Sequence, residues 1–263
     1  MDSIPADYHV HSLYSVDAIS TPAEIVKAAE ARGIAEIAFT EHADFEYDDP
    51  GYGFYDHDAH TDALARIETN VRVRRGVEVD YQKKFQSDVT AFLKDKRFDF
   101  VLGAVHFING RSFTAPDFFH GFEEEEIFSV FFDRTRELVE AGIIDVLAHL
   151  DILRRYSVAV YGPTDFATYR DRYEEICRAL VERGVALEVN TSGLRQEVAD
   201  TFPTLDAVQL YWELGGRLLT VGSDAHRAED IGKGIGETLK KLKGIGFTEL
   251  TTFAGGDVRP LKL

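Results

Sequence analysis

The chain is short of several things, and each shortage excludes something. Its 263 residues hold one cysteine, Cys177, so no disulfide can form within the chain. In its helical apolar pattern that thiol reads as buried, and such sparing cysteine use suits a reducing cytoplasm. No apolar run approaches the roughly 20 residues needed to span a bilayer. The stretch Met1 to Asp7 has neither a basic nor an apolar region, so no secretory signal is expected. Positive charge is scarce too: 29 Lys and Arg stand against 46 Asp and Glu, for a formal net charge of -17. Nucleic-acid binders grip the phosphate backbone with surplus Lys and Arg, so no nucleic-acid partner is expected. A small anionic substrate stays admissible if metal ions supply the local positive charge. Repeats, low-complexity tracts and linker-like segments are missing as well, and the length suits a single domain over 1–263.

What is present is histidine in a pattern. His9-Val10-His11 ends the first apolar run, and residues two apart on a strand project to one side about 7 Å apart, close enough to share a metal ion. Near the other end Gly222-Ser223-Asp224-Ala225-His226 repeats the arrangement, two ligand-type residues at i and i+2 behind an apolar strand.

Between these ends, apolar runs and helical patterns alternate. Tyr8 to His11 reads as a strand, and Thr21-Pro22-Ala23-Glu24 as a capping box with Pro at the first helical position; the helix runs to Arg32 and Gly33 stops it. Strands follow at Ile34 to Thr40, Val71 to Val79, Phe98 to Phe107, Ile143 to Ala148, Val185 to Val189 and Arg217 to Val221. Helices are expected at Asp58 to Thr69, Phe85 to Lys96, Glu123 to Ala141, Thr164 to Arg183 and Leu205 to Leu214, with one more before a tail strand near Glu249 to Ala254. The aromatic, acidic stretch Phe45 to Tyr55 reads as either a lid or a solvated loop.

Seven strand-helix units with near-continuous apolar strands indicate a parallel sheet covered on both faces. A doubly wound open sheet would gather ligands at one switch point. Here candidate ligands end strands one to five and seven, and only a closed or nearly closed β/α barrel brings all those ends together. Six of the nine histidines (His9, His11, His42, His106, His149, His226) stand there, with Glu78, Asp224 and Asp17. Crowded together without metal, six imidazoles would repel one another whenever protonated. His57, His60 and His120 are expected in loops, facing solvent.

The runs His9-Val10-His11-Ser12, Thr40-Glu41-His42, Gly76-Val77-Glu78, Gly103-Ala104-Val105-His106, Ala148-His149-Leu150-Asp151, Asn190-Thr191-Ser192-Gly193-Leu194-Arg195 and Gly222 to His226 resemble the polymerase and histidinol phosphatase (PHP) family. Within it they resemble the monofunctional histidinol-phosphate phosphatases. The resemblance implies a distorted (β/α)7 TIM-like barrel with its metal site at the C-terminal ends of the strands. It implies one metal on His9, His11, Glu78 and Asp224, a second shared through Glu78 with His106 and His149, and a third on Asp17, His42 and His226. Asp17 stands where close relatives often carry His, and Glu41 where Asp is usual; the second change bears on the residues behind the ligands.

The expected reaction is hydrolysis of a small phosphomonoester, most specifically L-histidinol phosphate in histidine biosynthesis, by a metal-bridging hydroxide without a covalent enzyme intermediate. Glu78, Asp224 and His226 are the expected catalytic residues. Three divalent ions (Zn, Mn or Fe) against Asp17, Glu78 and Asp224 leave a surplus of about three positive charges, which suits a phosphate dianion. Arg195 is the candidate phosphate clamp, with Arg154 and Arg155 as further substrate-binding candidates. Three readings compete. An amidohydrolase also opens with H-x-H, but its bridging lysine has no counterpart, since strand three ends in Glu78. Another phosphoester, such as a nucleotide or phosphotyrosine, is the second. A noncatalytic metal-binding PHP module is the third, although here all nine positions hold metal-binding residue types.

Overall fold

The capping box at Thr21 forms as its spacing dictates. The Thr21 hydroxyl accepts the Glu24 N–H at 3.2 Å, and the Glu24 carboxylate accepts the Thr21 N–H at 2.8 Å. Gly33, at φ +67, ends that helix. The computed structural model describes residues 4–115 and 117–263, so the first three residues of the Met1 to Asp7 stretch lie outside the described residues.

In chain order the first elements are β1 (Asp7–Val10), α1 (Pro22–Ala31), β2 (Glu36–Phe39), β3 (His42–Ala43), α2 (His57–Ala65) and β4 (Arg72–Asp80). Next come α3 (Gln86–Asp95), β5 (Phe100–Ala104), the short pair β6 (Phe107–Ile108) and β7 (Arg111–Ser112), α4 (Glu124–Ala141), β8 (Val146–Leu147) and α5 (Leu153–Tyr161). The chain continues with α6 (Arg170–Arg183), β9 (Ala186–Asn190), α7 (Leu205–Glu213), β10 (Leu219–Gly222), α8 (Ile235–Ile245), β11 (Glu249–Ala254) and β12 (Asp257–Lys262).

The main sheet runs β1-β2-β4-β5-β8-β9-β10 with parallel pairing throughout, and β3 joins β4 where His42 sits opposite Glu78. Its two ends meet: His11 N–H donates to Ala225 O at 2.9 Å, and Asp224 N–H to His9 O at 2.8 Å. The result is the expected nearly closed (β/α)7 TIM-like barrel. Helices cover it through apolar stripes. On α6 the buried Tyr173, Ile176, Cys177 and Leu180 recur at helical spacing and face the barrel core. On α1, buried Ile25, Val26 and Ala29 cluster with Val10, Ile37 and Phe39; a fully buried Ile contributes about 1.5–3 kcal/mol.

A bulge in β1 sets up the site. Asp7 pairs with Ile37 and Val10 with Phe39, so β1 takes three steps where β2 takes two. Asp7 and Val10 both turn outward, Asp7 accepting the N–H groups of Ser223 and Gly232 at 2.8 Å each. Tyr8 and His9 both turn inward. The Tyr8 ring stacks 5.3 Å from Phe100 on β5, its hydroxyl bonds Glu36, and Arg72 and Arg74 hold that carboxylate from the other side. Tyr8 thereby fills the barrel on the N-terminal side of His9.

The secondary structure departs from the sequence expectation in four places. Helix α5 stands where the sequence pattern predicts no element: it has no capping side chain and follows a tight turn after His149, yet Leu153 is fully buried and anchors it. The strand expected over Ile143 to Ala148 pairs only at Val146 and Leu147, and strand four ends at Ala104, leaving His106 in the following loop. The tail strand is half of a hairpin, β11 with β12. Among the described residues no helix is long and apolar enough to cross a membrane.

Candidate metal centre

Glu78, near the C-terminal end of β4, is the hub. Five imidazoles point nitrogens at its carboxylate: His149 Nε2 at 2.8 Å, His42 Nδ1 at 3.0 Å, His9 Nε2 at 3.2 Å, His11 Nε2 at 3.4 Å and His106 Nε2 at 3.8 Å. They come from four places in the barrel mouth: His9 and His11 from the end of β1, His42 from β3, and His106 and His149 from the loops after β5 and β8. Asp224, just past β10, adds its Oδ1 at 3.7 Å from His9 Nε2 and 3.5 Å from His11 Nε2. Asp224 and His149 are non-glycine residues at positive φ, +53 and +21, a backbone conformation kept where the surroundings over-determine it.

The donor spacing fits a cation. Four ligands at 2.0–2.2 Å around a tetrahedral ion stand about 3.4 Å apart. His9, His11, Glu78 and Asp224 show mutual separations of 2.9, 3.2, 3.4, 3.5 and 3.7 Å. Three overlapping groups have ligand atoms within 4.8 Å of one another and can hold several metal ions: His9, His11 and Asp224; His9, Glu78 and His149; and His11, His42 and His226. Asp17 faces the last group, its carboxylate 3.2 Å from His226 Nε2 and 3.6 Å from His42 Nε2, although its side chain is half exposed.

The second nitrogen of several rings is committed elsewhere, which leaves the first free to coordinate. His9 Nδ1 donates to Glu188 Oε1 at 2.7 Å. The Ser15 hydroxyl donates to Glu41 Oε2 at 2.6 Å, so toward His11 Nδ1, 3.0 Å away, it can only accept. His226 Nδ1 donates to the Asp224 carbonyl at 3.1 Å, and His106 Nδ1 faces Asp80 Oδ1 at 3.6 Å. The bonds at His9, His11 and His226 each fix a tautomer and a ring orientation, as outer partners of metal-binding histidines do.

Electrostatics set the same donor states at the two carboxylates, His11 and His106, and oppose them at His9. Burial alone would raise Glu78 and Asp224, but the imidazoles, His9 foremost, outweigh it and hold both carboxylates well below their ordinary range. Burial, reinforced by His226 and His42, drives His11 well down and so keeps it neutral. Burial likewise lowers His106 to about 3. For His9 the burial penalty is overcome by Glu188, Glu78 and Asp224, which raise it well above the usual imidazole value. A divalent ion requires ionised carboxylates and neutral imidazoles, so binding one at His9 releases a proton.

A cleft of about 500 Å³ opens over this cluster, lined by His42, Glu78, His106, His149, Asp224 and His226 together with Asp17, Tyr156 and the arginines Arg155, Arg195 and Arg227. Arg195 Nη2 donates to the Ser223 carbonyl at 2.8 Å, which fixes the guanidinium beside Asp224, while its Nη1 has no partner among the described residues. Arg155 lies in the cleft wall with its guanidinium 5.0 Å over the Tyr156 ring. Arg154 does not reach the cleft. It is buried and donates to Asp151 Oδ2 at 3.2 Å and Asp200 Oδ2 at 2.9 Å, because successive residues of α5 lie about 100° apart and residue 154 turns back toward residue 151. Arg154 is therefore removed from the substrate-binding candidates.

His60 also departs from expectation. It lies on α2, fully buried, 4.8 Å from the Tyr14 ring and 3.5 Å from Glu41, and burial lowers it to about 3. His57 opens the same helix half-buried, and His120 alone of the three is exposed in a loop. Sequence reasoning also missed Glu188, whose signal was a lone charge inside the apolar run Ala186-Leu187-Glu188-Val189, and Ser15. Glu41, which the family resemblance puts behind the ligands, is there: Ser12 and Ser15 donate to it, and burial raises it to about 7 against those bonds.

Residues 7–192 match the PHP domain. The histidinol-phosphatase of Lactococcus lactis subsp. lactis (strain IL1403) is 30% identical over 256 residues, covering 95% of this chain and 94% of that protein. The probable histidinol-phosphatase of Clostridium acetobutylicum is 29% identical over 236 residues, covering 89% and 91%. A crystal structure of the histidinol phosphate phosphatase of Lactococcus lactis subsp. lactis Il1403, complexed with Zn, L-histidinol and phosphate, superposes with a TM-score of 0.86 at 29% identity, covering 97% of this chain and 98% of that one.

Proposed function

This chain belongs to the PHP domain family, and we propose that it is a metal-dependent phosphomonoesterase that converts L-histidinol phosphate and water to L-histidinol and inorganic phosphate. The observation that carries the reading is the Glu78 carboxylate with imidazole nitrogens of five histidines within 3.8 Å, at the floor of a cleft walled by arginines.

In this proposal His9, His11, Glu78 and Asp224 hold one ion, Glu78 is shared with His106 and His149 at a second, and Asp17, His42 and His226 hold a third. Bound divalent ions supply a nucleophilic water at neutral pH and neutralise charge developing on the phosphoryl oxygens. The chain's own groups do the rest. Arg195 presents its uncommitted Nη1 to a phosphate oxygen while the Ser223 carbonyl keeps the guanidinium in place. Arg155, held over Tyr156, gives a second positive wall. The strand ends fix Glu78, Asp224 and His226 so that little reorganisation is needed when the phosphate turns over.

The organic half of the substrate comes from the relatives, histidinol-phosphatases over nine-tenths or so of both chains, one of them with L-histidinol and phosphate bound. On this reading the enzyme serves histidine biosynthesis. The net charge of -17 supports a small substrate over nucleic acid. We place the reaction in the cytoplasm, where the buried Cys177 would stay reduced.

The test is phosphate release from L-histidinol phosphate beside p-nitrophenyl phosphate and a nucleoside monophosphate, with chelator-stripped protein reloaded with Zn or Mn. The expected result is a kcat/KM for histidinol phosphate far above the others, lost on stripping and restored by metal. Preference for another ester would retain the metal site and remove the substrate assignment. A fully loaded protein that turned over no ester would be a noncatalytic module.

A further inference from the structure

Two cavities meet at one side chain. Beside the metal cleft lies a second chamber of about 320 Å³ under the segment that follows β3, walled by Phe45, Tyr47, Tyr52, Tyr55 and Phe92. Asp44 lines both spaces. Its position is imposed by the fold: it comes one residue after β3, forms a parallel bridge with Tyr52, and presses so closely on Gly51 that any Cβ there would collide with its carboxylate. Gly51 is thus needed to let the loop pass over Asp44.

Two neighbouring acids of this segment, Asp49 and Glu46, have partners, and the Asp44 carboxylate has none among the described residues. Asp49 accepts the Gly51 N–H at 2.7 Å, and Glu46 pairs with Lys84 at 2.5 Å. Among the described residues no donor hydrogen-bonds the Asp44 carboxylate, although it is largely withdrawn from solvent. A withdrawn carboxylate without a donor is expensive, and a cationic ligand group offsets the cost. The chamber beyond it suits a flat ring, since aromatic walls offer both apolar area and the negative ring faces that attract a cation.

We propose that Asp44 is a specificity-determining residue for the alcohol half of the substrate, pairing with an ammonium next to the ester carbon while the aromatic chamber receives the ring beyond it. This rests on the phosphomonoesterase reading above. The order of features along the cavity is metal ligands, then Asp44, then aromatic chamber. The order of groups along L-histidinol phosphate is phosphate ester, then the ammonium-bearing carbon, then, one methylene further, the imidazole. An alcohol without the ammonium leaves Asp44 unpaired in the complex, and a site built around a polar contact rejects such an analogue far more strongly than a site that only loses apolar area.

The experiment compares wild type and Asp44→Asn, both with metal content measured, on L-histidinol phosphate and on 3-(imidazol-4-yl)propyl phosphate, which lacks only the amine. The wild type is expected to favour the amine-bearing ester in kcat/KM by about 100-fold. In Asp44→Asn that ratio should collapse toward one, chiefly through KM. A ratio that survives the substitution overturns the proposal. That holds whether activity on both esters is intact or has fallen together, the second pattern placing Asp44 at the metal centre. A wild-type ratio near one overturns it as well. If the wild type prefers some unrelated ester, the substrate reading fails, yet an amine-dependent ratio that vanishes in Asp44→Asn still upholds this one. Tyr47→Ala, on an exposed stretch of the loop, guards against misfolding of the first variant. It removes a chamber wall and should raise the KM for histidinol phosphate about tenfold more than that for ringless 2-aminoethyl phosphate. Equal effects on the two would overturn the chamber's role.

Discussion

His9 and Glu188 lie 179 residues apart in the chain and 2.7 Å apart in space, Nδ1 to Oε1. The other Glu188 oxygen accepts the backbone N–H of His149 at 2.8 Å, so one carboxylate orients two histidines of the centre from behind. Room for it exists because β10 ends in Gly222, where a Cβ would run into both Glu188 Oε1 and the His9 Cβ.

Glu188→Gln should therefore weaken metal binding without removing a ligand. Outer partners of this kind are worth about 10–100-fold in metal affinity. Competition with a chromogenic chelator reads that loss, and turnover should recover in part at high metal concentration. An affinity equal to wild type would show that His9 needs no such support.

Glu78→Gln tests the hub itself. An amide donates where the carboxylate only accepts, and the proposal shares Glu78 between two ions. Turnover should nearly vanish, and elemental analysis should show more than one ion lost per chain. Full activity with full metal content in this variant would sink the shared assignment.

Arg154 is expected to act on stability rather than chemistry. Replacing it with Met leaves the fully buried Asp151 with only the Tyr173 hydroxyl and the Thr204 N–H as donors. Breaking a buried pair from one side costs about 3 kcal/mol, a fall of about 6 to 12 °C in the thermal midpoint for a chain of this size. The folded fraction should keep a near-normal kcat/KM. A normal melting temperature with a large loss of turnover would return Arg154 to the substrate site.

Glu36 links the barrel interior to acid stability. Burial would raise its carboxyl, but Arg74, Tyr8 and Arg72 hold it below the ordinary glutamate value. A group depressed on folding contributes stability that is fully present above its unfolded value and disappears as pH falls through the folded one. Glu36→Gln should flatten the dependence of melting temperature on pH below about 4.5. An acid limb as steep as that of wild type would show that other carboxylates set it.

The barrel and eight of the nine proposed ligands were legible because each lesson was local, an apolar run and then a ligand-type residue at or just past its end; Asp17, in the turn after β1, came only from the family resemblance. What the sequence concealed depends on contacts between distant segments. The β1 bulge, which turns Tyr8 and His9 inward together, is a register mismatch with β2 and leaves no mark in β1 alone. Arg154 and Arg155 could be told apart only once α5 was known to be a helix. His60 looked solvent-facing because the helix that carries it has no apolar stripe to mark a buried side, yet Tyr14 and Glu41 close over it. Glu188 was visible as a charge in an apolar strand, but its partner His9 was not.

Arg195 is where substrate and scaffold meet. One arm of its guanidinium is held by the Ser223 carbonyl at 2.8 Å, and Nε stands 3.9 Å from Asp230 Oδ1, which leaves Nη1 withdrawn from solvent and without a partner among the described residues. Arg195→Ala removes a charged donor from the cleft and should lower kcat/KM for the phosphomonoester by about 2 kcal/mol, roughly 30-fold, with a raised KM. Arg195→Lys should restore little of this, since a single ammonium cannot hold the Ser223 carbonyl and a phosphate oxygen in the same fork geometry. Steady-state kinetics on metal-replete protein decide the matter: unchanged constants in Arg195→Ala, or full rescue by lysine, would mean that the phosphate is held by the metal ions and Arg155 without this clamp.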